Sequence, residues 1–283
     1  MYRKRRLSKT LGPTLRPHKQ HEQFISLCHA LLRPNTYLEI GVDQGRSLAL
    51  ALDSTRAVGV DPNPSVQYPL GQRVEVTEDQ SDNFFESNVA SELFHGHPID
   101  LGFIDGLHLF EQALKDFNNT EKLCHRNSLL ILDDCVPPNE AYTHRRACEG
   151  VWTGDVWKLL VALAQYRPDL RITLLDLYPA GLAVIDNLDP TSTTIESHES
   201  RLISEFMSIR FPGREFLTRY FNTLAFRPGA ITEFLIPYSA PLTTAECLTL
   251  ERRYYRLRWG ELRLRIQRKA ARMLSSGFGR DMC

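Results

Sequence analysis

Acidic residues in this sequence collect at the ends of short apolar runs. Glu39 lies inside the run Tyr37–Ile40, just before Gly41-Val42-Asp43-Gln44-Gly45. Glycine at both ends of that turn removes Cβ atoms, so backbone N–H groups and a ligand can come close. The spacing is G-x-x-x-G rather than the G-x-G-x-x-G of dinucleotide folds. A pyrophosphate wants N–H donors without acids nearby, and Glu39 and Asp43 put two carboxylates around the turn. That suits a cationic ligand, although a plain strand-to-helix connection would need no ligand at all. Asp61 closes the run "AVGVD". An acid at the end of a second strand can accept both hydroxyls of a ribose; as structure alone, Asp61-Pro62 opens a turn. Together the two pieces ask for a ligand with a ribose and a positive charge.

Asp105 ends "GFID", and Asp133 and Asp134 end "LILDD". Adjacent parallel strands lie about 4.8 Å apart. Carboxylates at their carboxyl ends can therefore converge on one hard cation such as Mg²⁺, with waters and substrate oxygens completing an octahedron. The alternative is that one of Asp133 and Asp134 faces away and caps the following turn. His108 lies three residues after Asp105, where its ring can point back over the same cleft. An ordinary histidine pKa of about 6.5 suits a general base; a helix-start histidine with no chemistry is the plainer reading. The polar run 136–151, "VPPNEAYTHRRACEGV", is longer than a usual connection and reads as a lid or substrate loop. Its His144, Arg145 and Arg146 either meet an anionic or sugar substrate or face solvent. Trp152 and Trp157 are either core, with Thr153 or Asp155 as helix N-cap, or a stacking wall for a sugar or aromatic acceptor.

These residues need a scaffold that brings strand ends together. Residues 20–33 read as an amphipathic helix with Phe24, Leu27 and Leu31 on one face, ended by Pro34-Asn35. Strand-like runs then alternate with helical patterns: Tyr37–Ile40, a helix from about Ser47, then strands at 56–61, 72–76, 100–105 and 128–133, with a helical stretch between the last two. This alternation implies a parallel sheet covered on both faces. The runs 170–176 and 181–185 are too close for a parallel crossover, so they pair as a hairpin or sit apart. The stretches "SHESRLISEFMSIR" and "EFLTRYFNTL" read as helical, and Tyr255, Trp259, Leu262, Ile266, Ala270 and Met273 fall on one helical stripe. That stripe reads as a packing or oligomerisation helix, and it predicts a homodimer or higher homo-oligomer.

The 283 residues are 42% hydrophobic and 24% charged, which is enough apolar matter for a real core. No apolar run approaches the roughly 18–20 residues of a membrane span, and the basic start has no apolar segment behind it to make a secretory signal. Six cysteines without a C-x-x-C pair argue against zinc and a disulfide framework, and suit a cytoplasmic, reducing setting. Charge is uneven. Residues 1–20 hold seven Lys/Arg and no acid, residues 251–283 hold ten against three, and the middle keeps 17 basic against 31 acidic residues. The basic ends either fold back on the acidic body or a partner subunit, or bind an anionic surface; no nucleic-acid motif is visible.

The motifs "LEIGVDQG", "VGVD", "DLGFIDGLH" and "LLILDD" together resemble the class I S-adenosylmethionine-dependent methyltransferases, over about residues 36–186. "IDGLH" with "LDD" is most similar to the small-molecule and sugar O-methyltransferase branch (methyltransferase domain 24 type), which includes cephalosporin-cluster and macrolide-sugar enzymes. The resemblance implies a Rossmann-like α/β fold with a seven-stranded sheet, mostly parallel, whose last strand is antiparallel. The chain then divides into a basic segment and helix over 1–34, the methyltransferase domain over 35–189 and a helical C-terminal extension over 190–283, the last without a resemblance to a known family. It implies that the Glu39–Gly45 turn holds the methionine part, Asp61 the ribose, and the region Glu78–Asp82 the adenine. The cofactor contacts so implied are Glu39, Gly41, Asp43, Gly45, Ser47, Asp61, Ser81, Asp82 and Asp105. It places divalent-metal ligands at Asp105, Asp133 and Asp134, where the catechol-type pattern has Asp-Asn at the last pair. The catechol-type base at the position of His108 is a lysine, so the resemblance supports a catalytic role beside Asp105 with a changed identity. His144, Arg145 and Trp152 are the substrate candidates. The expected function is methyl transfer to a hydroxyl of a small-molecule or glycoside acceptor. A nicotinamide-dependent oxidoreductase and a non-catalytic binding protein of the same fold are the alternatives.

Overall fold

The computed structural model describes residues 20–87, 89–147 and 151–239. The basic stretch before residue 20, the Tyr255–Met273 stripe, and Cys148, Cys247 and Cys283 lie outside the described residues. All elements below belong to the first of two compact units, which ends at Tyr238. No helix among the described residues is long and apolar enough to cross a membrane.

Eight strands form one sheet: β1 (Thr36–Ile40), β2 (Arg56–Asp61), β3 (Val74–Glu78), β4 (Ile99–Ile104), β5 (Cys124–Leu132), β6 (Arg171–Asp176), β7 (Leu182–Asp186) and β8 (Asn222–Ala225). Their order is β3-β2-β1-β4-β5-β7-β6-β8. The first five run parallel. β7 is antiparallel to β5 and β6, so the expected hairpin forms, and β8 pairs parallel to β6. β1 and β7 are buried at every position, as strands covered on both faces must be, and this is why they read as continuous apolar runs.

The cover is α1 (Gln20–Leu32), α2 (Ser81–Glu86), α3 (Val89–Leu93), α4 (Phe110–Leu123), α5 (Trp157–Tyr166), α6 (Thr194–Met207), α7 (Arg214–Tyr220) and α8 (Pro228–Leu235). In α4 the buried Phe110, Ala113, Leu114 and Phe117 follow the i, i+3, i+4, i+7 spacing of an amphipathic helix. In α1 the buried stripe is Phe24, Ile25, Cys28 and Leu31; Leu27, expected on it, is only half-buried.

Several expectations change. Seven strands become eight, because the end of "EFLTRYFNTL" pairs with β6 instead of continuing α7. The helix expected from about Ser47 is a single 3₁₀ turn, Leu48–Leu50. β2 starts at Arg56, which leaves no length for a full helix, and Leu48 is packed where a Cβ on Gly59 would sit 2.6 Å from its Cδ2. β3 starts two residues later than expected, at Val74.

Two buried polar constructions brace this frame. Arg167, at the end of α5, donates to both carboxylate oxygens of Glu121 on α4, at 2.6 and 2.9 Å, and both side chains are 2% exposed. Glu121 also accepts from the Asp189 N–H at 3.0 Å. Under the first turn, Glu39 is fully buried; it is bonded to the Tyr37 hydroxyl at 2.6 Å and the Ser47 hydroxyl at 2.7 Å. Burial raises its carboxyl pKa to about 8, against the pull of those two hydrogen bonds, so at neutral pH it is largely protonated.

Glu121→Ala should cost about 3 kcal/mol in urea unfolding by leaving the buried guanidinium with only the half-exposed Asp169 carboxylate as its ion-pair partner, and the Glu121→Met/Arg167→Met pair should recover much of that loss. Glu39 titrates higher in the fold than in the unfolded chain, so its contribution is present below about pH 4.5 and is lost as pH rises through about 8. Glu39→Gln keeps a hydrogen-bonding side chain that cannot ionise. Its stability relative to wild type should therefore rise by a few kcal/mol between pH 5 and 8.5; a constant difference would show that Glu39 does not titrate this way.

Candidate active site

Strand order reverses between β1 and β4, and ligands of open α/β sheets bind in the crevice at such a point. The first turn lines it. Gly41 has φ +90°, and a Cβ there would stand 2.0 Å from the Asp105 carbonyl oxygen. Only glycine lets the two strand ends meet this closely. Asp61, at the end of β2, accepts the N–H groups of Val42 (2.8 Å) and Asp43 (2.9 Å) on one oxygen and that of Asn63 (2.8 Å) on the other. The carboxylate thus fixes the turn while facing the crevice.

The crevice holds a cavity of about 520 Å³, within the range of small-molecule sites. Its wall runs along the carboxyl ends of β3, β2, β1 and β4: Gln80, Ser81 and Asp82, then Asp61 and Pro62, then Gly41 to Gln44, then Asp105 to Leu107. Arg46, Gln112 and Asp116 of α4, and His21 and Glu22 of α1 complete it. Among the described residues this wall carries six carboxylates, one guanidinium and the imidazole of His21. A diphosphate is repelled by such a surface; a ligand with net positive charge is attracted. Glycines that admit close backbone approach, an acid at the end of β2 and this charge balance fit S-adenosylmethionine.

Of the cofactor residues expected from sequence, Gly41, Asp43, Ser47, Asp61, Ser81, Asp82 and Asp105 line the cavity. Gly45 (φ +76°) shapes the turn behind it, and Glu39 lies beneath the turn. Asp116 is 1% exposed. Burial raises its pKa to about 6 against hydrogen bonds from Ser81 and Gln112. Gln112 Nε2 also donates to Asp82 at 2.8 Å.

Beyond Asp105 lies a second group. One ligand atom each from Asp105, His108 and Asp134 falls within 4.8 Å of the others. His108 Nε2 is 3.3 Å from Asp105 Oδ1, and Nδ1 is 3.2 Å from Asp134 Oδ2 and 2.8 Å from the Trp152 carbonyl. Burial pulls the His108 pKa down, but the Asp105 hydrogen bond and the charges of Asp134 and Asp105 outweigh it and bring it up to about 9. At neutral pH His108 is therefore an imidazolium bridging two carboxylates. Asp133, expected beside them, instead has Oδ2 3.2 Å from His21 Nδ1, and its Oδ1 accepts the Asp134 N–H at 2.8 Å. Burial raises Asp133 to about 6, the Asp105 charge adding to this and His21 opposing it.

The segment after the polar loop packs on His108. Trp152 lies with its ring 4.9 Å from the imidazole and donates Nε1–H to the His144 carbonyl. Arg145 pairs with Glu111 and Asp155. Asp155, expected as a cap on α5, caps α4 instead by accepting the Phe110 N–H at 2.8 Å. Gly154 next to it bends the chain against the His108 carbonyl, which carries the carboxylate to the other helix. Trp157 is core at 2% exposure.

Sequence reading missed His21, Glu22, Arg46, Gln112 and Asp116. Gln112 and Asp116 stand one helical turn apart on α4, a polar interruption beside its apolar stripe that is the one signal available. Nothing local marks the other three.

Residues 38–135 match the family described as Methyltransferase domain. No curated protein matches the sequence. Similar solved structures include the O-methyltransferase from Bacillus cereus in complex with SAH (18% identity, 58% of this chain and 79% of that one, TM-score 0.46). They include the SAH-bound Podospora anserina methyltransferase PaMTH1 (18%, 60% and 78%, TM-score 0.47) and the O-methyltransferase TomG from Streptomyces achromogenes in complex with SAM (15%, 60% and 80%, TM-score 0.45). At these scores the likeness adds nothing to what strand order already shows. The match to the methyltransferase domain family covers about a third of the chain and takes in the strand ends that line the acid-lined crevice.

Proposed function

We propose that the protein transfers the methyl group of S-adenosylmethionine to a hydroxyl of a small molecule or glycoside. The observation that carries this reading is the acid-lined cavity whose wall shares Asp105 with the Asp105–His108–Asp134 group. Following the strand ends, adenine lies beside Gln80–Asp82, the ribose at Asp61, the methionine part at the Gly41–Gly45 turn and the sulfonium towards Asp105. The acceptor oxygen then approaches over Asp105 and His108, under Trp152.

The sulfonium methyl is already activated, so the protein's work is alignment and proton removal. Asp43 and Asp105 offset the sulfonium charge. Asp61 Oδ1 has one backbone partner and can take a ribose hydroxyl as well. His108, fixed between Trp152 and the two carboxylates, holds positive charge beside the acceptor; once deprotonated, its Nε2, 3.3 Å from Asp105 Oδ1, can take the acceptor's proton. One imidazole and two carboxylates also fit a divalent cation, Mn²⁺ or Mg²⁺. When bound, such an ion supplies Lewis acidity that lowers the pKa of a hydroxyl.

S-adenosylhomocysteine at about 100 times its dissociation constant should stabilise the wild type by about 2.7 kcal/mol. Asp61→Asn, which keeps an acceptor for the turn, should lose most of that shift, and NAD should give none. A full shift with NAD and none with S-adenosylhomocysteine would move the protein to the oxidoreductase class. Mn²⁺ titrated calorimetrically should bind the wild type and not Asp134→Asn or Asp105→Asn; equal binding in all three would remove the cation from this site.

A further inference from the structure

We propose that Arg46 recognises the α-carboxylate of the cofactor's methionine tail, and that Glu22 and Tyr68 hold it in place for this task. The inference rests on the cofactor reading above. The bound cofactor has one anionic group, the α-carboxylate, against an ammonium and a sulfonium. The cavity wall has the opposite balance: six carboxylates and, among the described residues, Arg46 as its one permanently charged cation. A carboxylate turned towards any other charged part of that wall meets like charge.

Arg46 is prepared for the role. Its guanidinium carbon sits 4.7 Å over the Tyr68 ring. Its Nη1 is 3.9 Å from Glu22 Oε1, an ion-pair contact longer than a hydrogen bond. Glu22 is completely buried on α1, so water does little to screen the contact between the two side chains. Tyr68 is brought there by a chain segment clasped to the first turn: the Ser65 N–H donates to the Asp43 carbonyl at 2.8 Å and the Gln67 N–H to the Gln44 carbonyl at 3.0 Å. The guanidinium is thus steered from two sides and is a third exposed, with its fork geometry available to a carboxylate. Its position also agrees with strand order. Arg46 follows the β1 turn, and Glu22 is next to His21, which reaches Asp133 at the end of β5. Arg46 thus stands at the turn to which the reading above assigns the methionine end of the ligand. Glu22 lies outside the family-matched residues 38–135, so α1 adds to the site something the family segment does not contain.

The test is calorimetric binding of two ligands, S-adenosylhomocysteine and 5′-methylthioadenosine, which shares the nucleoside and thioether but lacks the amino-acid tail. Arg46→Met should weaken S-adenosylhomocysteine by about ten- to a hundredfold and leave 5′-methylthioadenosine unchanged, and Arg46→Lys should restore part of the loss. Glu22→Gln should weaken S-adenosylhomocysteine alone, by a smaller factor. Binding of 5′-methylthioadenosine reports that each variant is folded. Equal losses for both ligands, or no loss for either, would overturn the role of Arg46 while leaving the cofactor site standing. If the wild type binds neither ligand, the cofactor reading falls and this inference with it.

Discussion

The Asp61 carboxylate accepts two N–H groups of the glycine turn on one oxygen and a third N–H on the other. The candidate site depends on this arrangement. β1 and β2 are neighbours in the sheet, but pairing stops at Ile40 and Val60. Beyond that point the turn needs another tether, and Asp61 supplies it by taking the Val42 and Asp43 N–H groups. The same oxygens face the cavity, so the group that shapes the turn is also offered to a ligand. Gly41 is the complementary condition, since with any side chain there the β1 turn could not lie against the end of β4.

Charge is managed differently on the two sides of that turn. Beneath it, where water is absent, Glu39 keeps its proton and serves as a neutral hydrogen-bonding partner of Tyr37 and Ser47. On the cavity side the acids remain in contact with a space that a positively charged ligand can fill. At the far end, His108 supplies the positive charge that Asp105 and Asp134 require. The crevice is thus a graded surface, negative along its length and positive at two separated points, Arg46 and His108.

The sequence made the central strands legible because both their faces are covered, and unbroken apolar runs ending in acids record that fact. Asp61, Asp105, Asp133 and Asp134 were visible for the same reason: a strand's end is a local property. β3 slipped by two residues because it is partly exposed throughout, and its pattern carries less information. β8 was hidden inside a helical pattern because only its pairing with β6 makes it a strand. His21 and Glu22 belong to the site through the contacts that α1 makes with Asp133 and Arg46, and Arg46 through its contacts with Glu22 and Tyr68, tertiary facts that local spacing does not encode. The partner of Asp133 was illegible for that reason too, and so was the helix that Asp155 caps.

β8 has a further consequence. β6 carries the fully buried Leu174 and Leu175, and on one side it pairs with β7. With β8 in place, the other side of β6 is hydrogen-bonded along Thr173–Asp176. The outermost strand is then a four-residue piece of mixed exposure, followed by Arg227 and Pro228. Short edges flanked by charge and proline are poor templates for another chain's strands, whereas a long apolar edge invites them. The segment after β7 therefore covers an edge of β6 that a chain ending at β7 would leave open for another strand to pair with.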